Sequence, residues 1–226
     1  MATKTKPAPT KPTGSAVAKQ SEPLIIQTDT VPDYIQGNTQ RGSENVTAAD
    51  LVIPRLEIVQ ALSPAVKSGD PGHIKGAEAG MLNNSVTRDL YGDSVHVVPV
   101  HFSVQYLVWR DRKKGSGEGG FFGAYQSHAE ALDRCNQEGG AANGIEVIDT
   151  PTHLCLLIDT KAGKVDEIML SMPRTKAKIS RQWNSMIKLA GGDRFSRVYR
   201  ISTQMQKNAK GDFYNFCVET AGFPAR

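Results

Sequence analysis

A long run of alternating residues, 95–109, constrains the fold of this chain more than any other feature. Its apolar positions are Val98, Val100, Phe102, Val104, Tyr106 and Val108, and the positions between them include His101, Ser103 and Gln105. A period of two is typical of a half-buried strand, because successive side chains of a strand point to opposite faces. Pro99 lacks an amide hydrogen and indicates a sheet edge or a bulge near the start. The sequence therefore predicts a fold built around one long β-strand.

Other segments predict additional strands and two helices. Apolar and alternating patterns predict strands at 152–159, 165–172, 196–206 and 212–220. A capping box at Ser127–Glu130 predicts a short helix at 128–138. Between 175 and 188 the apolar spacing becomes helical, with Trp183 on the apolar stripe. We therefore expect a mainly β (α+β) fold with one or two short helices.

The first 45 residues differ in composition from the rest. They are rich in Lys, Thr, Pro, Ser and Gln, and Tyr34 is their only aromatic residue. Such a segment buries too little apolar surface to offset an ordering entropy of about 1–2 kcal/mol per residue. We expect a disordered tail over 1–45 and a single domain over 46–226.

The chain has no feature of a membrane or exported protein. It contains no apolar run of about 18 residues, and no apolar segment follows its N-terminal lysines. Its three cysteines, at 135, 155 and 217, show no spacing typical of a disulfide framework. These observations predict a cytoplasmic protein without membrane contact.

Positive charge is concentrated between residues 161 and 210, where twelve Lys and Arg stand against three acidic residues, although the whole chain carries only +4. A clustered positive field attracts polyanions, although a solvated basic face is the alternative interpretation. Aromatic residues interleaved with these cations favour single-stranded nucleic acid. Binding without sequence readout needs cations along the backbone and rings for stacking, each stacked base contributing roughly 1–3 kcal/mol.

The candidate nucleic-acid-binding residues come from the loop after the long strand, the basic helix and the last hairpin. The cations are Arg110, Arg112, Lys113, Lys114, Lys176, Lys178, Arg181, Arg197, Arg200, Lys207 and Lys210, and the candidate stacking rings are Trp109, Phe121 and Phe213. Tyr199 and Trp183 share faces with apolar residues, so we expect them in the core. The hypothesis is that loop 110–114 and the last hairpin flank one groove.

No pattern for catalysis, a metal or a cofactor is found. The five histidines lack metal-ligand spacing, and the glycine tract 115–120 lacks the Gly-Lys-Ser/Thr ending of a phosphate-binding loop. Cys155 falls in an apolar strand, where a thiol is usually inert packing. We therefore expect no enzyme, cofactor or metal. A carboxylate-based nuclease stays open as an alternative, because such side chains can meet in space without a sequence signature. Asp166 and Glu167 are the only adjacent acidic pair near the basic region.

The C-terminal part resembles the OB-fold-like single-stranded DNA-binding proteins that bacteriophages encode. The resemblance covers about residues 85–223, and it lies in the strand order, the basic helix before the final hairpin, and the segment Gly211-Asp212-Phe213-Tyr214-Asn215-Phe216. It implies a small OB-like barrel that protects single strands during phage replication or recombination in the host cytoplasm. Replication or recombination proteins and further copies of the chain would be additional partners. Such proteins commonly end in an acidic recruiting tail, whereas this chain ends Gly222-Phe-Pro-Ala-Arg226.

One alternative function also fits the sequence. A phage structural or virion-associated protein could use a disordered tail as an assembly arm, and its basic surface could contact the genome or a partner protein.

Overall fold

The computed structural model describes residues 43–47, 50–111, 120–159, 163–209 and 211–224. The described residues from Asp50 onward belong to one compact unit, Ala48–Arg226. The tail predicted over 1–45 lies almost wholly outside the described residues, as do the predicted site residues Arg112, Lys113, Lys114 and Lys210.

The described chain is mainly β with two helices, as the sequence predicted. A small antiparallel sheet contains β1 (Leu56–Ile58), β2 (Leu82–Asn84) and β3 (Leu90–Gly92). The large sheet contains β4 (Ser94–Arg110), β5 (Gly120–Tyr125), β6 (Ile145–Asp159), β7 (Lys164–Ser171), β8 (Val198–Asn208) and β9 (Gly211–Gly222). The helices are α1 (His128–Gln137) and α2 (Ala177–Ala190). Neither helix has the length and apolar character needed to cross a bilayer, within the described residues.

Strand β4 is the centre of the large sheet, whose order is β7-β6-β4-β8-β9. It pairs with β6 along nearly its whole length, from His96 opposite Ile158 to Arg110 opposite Ile145. On its other side, β8 pairs with residues 94–97 and β5 pairs with residues 106–110. The β8–β9 hairpin and strand β5 therefore join opposite ends of β4.

A bulge between Pro99 and His101 changes which residues of β4 face the core. The expectation that Val98 and Val100 share one face with Val108 is wrong for this half of the strand. Val95 and Val97 face the main core instead, and Val100 is 39% exposed. An inserted residue shifts the alternation by one position, which explains the difference.

The main core lies between the large sheet, α2 and the small sheet, and it contains Trp183, Tyr199, Cys155, Leu82 and Phe216. The predicted burial of Trp183, Tyr199 and Cys155 is therefore confirmed. Burial raises the pKa of the Cys155 thiol to about 12, so the group is neutral and acts as packing. A second cluster under α1 contains Val108, Ala131, Cys135 and Ile145.

Strand pairing leaves both sheets open within the described residues, and β7 and β9 end the large one. The segment 54–60 forms hydrogen bonds with both of these edge strands. The amide of Met169 donates to the carbonyl of Pro54 at 2.8 Å, and the Gln60 carboxamide hydrogen-bonds both backbone groups of Tyr214. The mainly β prediction is confirmed, whereas the OB-like barrel remains a hypothesis.

Candidate nucleic-acid interface

Two exposed aromatic rings lie side by side where β4 and β5 pair. Trp109 is opposite Phe121 in the strand register, and their ring centroids are 6.5 Å apart. Trp109 is 40% exposed and Phe121 is 58% exposed. Because neighbouring Val108 packs under α1, strand alternation directs Trp109 to the opposite face of the sheet. Two of the three predicted stacking rings thus form one accessible aromatic pair.

A pocket continues this face along β4. Gln105 and Leu107 lie four and two positions before Trp109, and so they share its face. Both line an open pocket of about 310 Å³, together with Thr150, Lys176 and Arg55. The aromatic pair and the pocket are therefore parts of one surface, which we call the Trp109 face.

Arg174 adds a cation beside the aromatic pair. Glu146 of β6 is opposite Trp109 in the register, so the two side chains lie on the same face. The Nη2 atom of Arg174 is 2.5 Å from Oε1 of Glu146, and the Arg174 side chain is still 56% exposed. Arg174 has φ 55°, a left-handed conformation that costs a non-glycine residue about 1–2 kcal/mol. The turn before α2 thus holds this guanidinium against the sheet through Glu146.

Lys176 is the partly buried cation of the pocket. Its Nζ lies 4.8 Å from the centroid of the Phe216 ring. Desolvation lowers the pKa of Lys176, and the negative charge of Glu57, which lines the same pocket, opposes that shift. An ammonium group with reduced hydration gains more from an anionic partner than an exposed one does. The Trp109 face therefore combines stacking rings with three cations, Arg55, Arg174 and Lys176.

The other predicted cations in the described chain lie on different surfaces. Lys178 and Arg181 line a groove between α2 and β9, together with Gln204 and Gln206. Arg110 lies over the Phe122 ring on the α1 side of the sheet, and Arg197 lies over the Phe223 ring. Arg200 donates from Nη2 to the Ser94 hydroxyl at 3.3 Å, and Lys207 is exposed near the end of β8.

Phe213 and Lys207 lie far from Trp109 along β4. Phe213 is half-buried and pairs with Gln206 near the turn of the β8–β9 hairpin. Strand β8 is antiparallel to β4 and continues past Ser94, so this turn projects beyond the N-terminal end of β4. Trp109 is at the C-terminal end. The described members of the expected groove, Arg110, Lys207 and Phe213, are therefore not brought together.

Arg55 and Arg174 of the Trp109 face were not predicted from the sequence. Arg174 belongs to the basic stretch, but its position beside Trp109 depends on a left-handed turn and on the pairing of β4 with β6. Neither feature has a signal in the sequence. The position of Arg55 depends in turn on how segment 54–60 lies against β7.

A buried histidine and serine form a pair that looks like a catalytic dyad. Nε2 of His153 is 2.7 Å from the Ser180 hydroxyl, and Nδ1 is 2.8 Å from Nη2 of Arg194. Arginine can only donate, so Nδ1 accepts and Nε2 donates its hydrogen to Ser180. The imidazole is thus oriented as a donor and not as a base that would activate this hydroxyl. Burial, with a smaller effect from the charge of Arg194, lowers the His153 pKa to about 3. Among the described residues, no cluster of His, Cys, Asp or Glu side chains could hold a metal ion.

Comparisons with known proteins place the chain in a phage family. No curated protein and no solved structure matches it. A family model described as Pam3 phage gp34-like protein matches residues 21–226, which is most of the chain. The chain therefore belongs to the Pam3 phage gp34-like protein family.

Proposed function

We propose that this phage-family protein binds single-stranded DNA across the Trp109 face. The observation that carries the proposal is the pair of exposed rings, Trp109 and Phe121, beside a pocket that contains a partly buried lysine. Bases would stack on the rings, and Arg55, Arg174 and Lys176 would neutralise phosphates. Every base has an aromatic face, so binding would show little sequence preference.

The segment between the two strands that carry the rings contains further basic residues. The segment that joins β4 to β5 contains Arg112, Lys113 and Lys114, and it links the two strands that carry Trp109 and Phe121. These three residues remain part of the proposed interface on this ground alone. The proposal also includes an OB-like arrangement of the strands, a role in phage replication or recombination, and a location in the host cytoplasm.

The two tryptophans of the chain provide a direct fluorescence test. Trp183 is fully buried, whereas Trp109 is exposed, so a stacked base should quench Trp109 alone. Titration with a thymidine oligonucleotide is expected to quench part of the emission of the wild-type protein. Trp109→Phe should lose this quenching but keep most of the affinity, because a ring remains. An unchanged signal in Trp109→Phe would remove Trp109 from the interface.

Truncation of the ring tests its contribution to binding. Trp109→Ala is expected to weaken oligonucleotide binding by roughly tenfold or more, since a stacked base contributes about 1–3 kcal/mol. Phe195→Ala is the matched control, because Phe195 is an exposed ring in the turn between α2 and β8, outside the Trp109 face. Equal losses in the two variants would contradict the proposal. Metal-dependent cleavage of the oligonucleotide would instead indicate the nuclease alternative.

A structural or virion-associated role is the second candidate function. The observation that favours it is the groove between α2 and β9, which combines apolar and polar side chains and whose two rings, Trp183 and Phe216, are buried. A wild-type protein that shows neither quenching nor salt-dependent affinity for oligonucleotides would support this role over strand binding.

A further inference from the structure

A groove of about 660 Å³ lies between α2 and β9, and Gln204 and Gln206 of β8 also line it. Ile179, Met186 and Leu189 line it from the helix, and Phe216, Cys217 and Val218 line it from the strand. Leu189 is 88% exposed. Apolar side chains thus line part of this groove, and the groove runs alongside β9, which ends the sheet.

The backbone of β9 offers hydrogen-bonding groups to this groove. At Tyr214 these groups point away from β8 and toward Gln60. The Tyr214 amide donates to Oε1 of Gln60 at 2.9 Å, and the Tyr214 carbonyl accepts from Nε2 of Gln60 at 2.8 Å. Gln60 thus takes the place of a neighbouring strand at this position. In an antiparallel pair, residues two apart direct their peptide groups to the same side. The peptide groups of Phe216 and Val218 therefore also point away from β8. The outward amide of Phe216 donates to the Asn215 side chain, whereas Val218 lies further along the groove.

The charge of the groove is positive along the helix. Helix α2 carries Lys178, Arg181 and Lys188 and no acidic residue. Lys178 and Arg181 line the groove directly. A ligand with acidic side chains would complement this wall.

The rings of the groove favour a peptide over a nucleic acid. Its two aromatic residues, Trp183 and Phe216, are buried, so neither presents a face on which a base could stack. A free strand edge flanked by apolar side chains is the arrangement that binds extended peptides by strand addition.

We propose that an extended peptide segment of a partner protein adds to β9 as a further antiparallel or parallel strand. Its alternate apolar side chains would pack on Ile179, Met186 and Leu189, and its acidic side chains would face Lys178 and Arg181. This inference goes beyond strand binding by the Trp109 face, because it uses a different surface and a different class of ligand.

A proline substitution tests the backbone contact. Val218→Pro removes the outward amide hydrogen, and proline is tolerated where the N–H of an edge strand faces outward. Val218→Ala shortens the side chain but keeps the amide, so it is the matched control. The probe is a fluorescein-labelled, end-capped peptide of alternating valine and aspartate, titrated against the full chain by fluorescence anisotropy.

Binding to the wild type and to Val218→Ala, with about tenfold weaker binding to Val218→Pro, is the expected result for loss of one backbone hydrogen bond. Circular dichroism would verify that both variants fold. Amide hydrogen exchange at Val218 in the wild-type protein should slow when the peptide binds, and this readout does not depend on any variant.

Several results would overturn the proposal. These are failure of the peptide to bind, equal affinity for both variants, or equal affinity for a peptide with lysine in place of aspartate. Protection of Val218 by a thymidine oligonucleotide, with displacement of the peptide, would reassign the groove to nucleic acid.

Discussion

At the scale of single residues, His153 couples the stability of the fold to pH. The ring stacks on Trp183 with centroids 4.4 Å apart and is fully buried. Its folded pKa of about 3 is below the ordinary value of 6.5. Between these two values the unfolded chain binds a proton that the folded protein excludes. Stability from this residue is therefore present above about pH 6.5 and is lost as pH falls toward 3, by up to about 1.4 kcal/mol per pH unit.

The pH dependence of unfolding tests this coupling. We expect the thermal midpoint of the wild type to fall between neutral pH and about pH 5, a window in which the unfolded histidine becomes charged. His153→Gln removes the titrating group and should flatten this dependence, although it lowers stability at neutral pH. His101→Gln, at an exposed position, is the control and should behave as the wild type does. A wild-type slope retained in His153→Gln would contradict the assignment.

Two nearby lysines test the location of the DNA surface. Lys176 lines the pocket of the Trp109 face, whereas Lys178 lines the groove beside β9. We expect Lys176→Gln to weaken oligonucleotide binding and to reduce the slope of log affinity against log salt by about 0.7, the value for one phosphate contact on a single strand. Lys178→Gln should leave both quantities unchanged. The reverse order of effects would move the interface to the groove.

Residue-level predictions from the sequence succeeded where burial follows from the local pattern. Trp183 lies on an apolar helical stripe and Tyr199 shares a strand face with Ile201, and both are in the core. Trp109 and Phe121 were candidate surface rings, and they are exposed. The position of Arg174 was not predictable, because it depends on a left-handed turn and on contact with a strand that is distant in the sequence.

At the scale of elements, the long strand and both helices were predicted to within a few residues. The apolar period indicated β4 and α2, and the Ser127–Glu130 pattern indicated α1. The side-chain orientation in the first half of β4 was predicted wrongly, because the bulge at Val100 shifts the alternation. Pro99 did indicate a bulge, but a proline alone does not predict the position of the extra residue. Strand β4 also lies at the centre of the sheet and not at an edge.

Gly80, in the turn before β2, lies close to the Tyr214 ring of β9, and it provides a test of that packing. Its φ is 96°, and an added Cβ would lie 2.7 Å from Cε1 of Tyr214. Gly69 has φ 88° with no atom within 4 Å of an added Cβ, so Gly69→Ala measures the backbone effect alone. We expect Gly80→Ala to lower the free energy of unfolding in urea by about 1–3 kcal/mol more than Gly69→Ala does. Equal effects would show that Tyr214 moves aside without cost.

At the scale of the whole molecule, the strand pairing divides the basic residues that the sequence places close together. Lys176 belongs to the Trp109 face, Lys178 and Arg181 belong to the groove, and Lys207 lies beyond the other end of β4. Composition predicts the amount of positive charge, but the register of a sheet decides where it converges. The sequence therefore supported a basic protein with exposed rings, although it could not show that the charge is divided among several surfaces.

Photo-crosslinking to a single-stranded oligonucleotide that contains iododeoxyuridine shows whether bases stack on Trp109 and Phe121, because the crosslink forms where a base touches an aromatic ring. Peptide mapping by mass spectrometry would identify the attached residue. We predict crosslinks at Trp109 or Phe121, at an intensity that falls as salt rises. Crosslinks confined to Phe213 or to the α2–β9 groove, or none at concentrations where the oligonucleotide is bound, would contradict it.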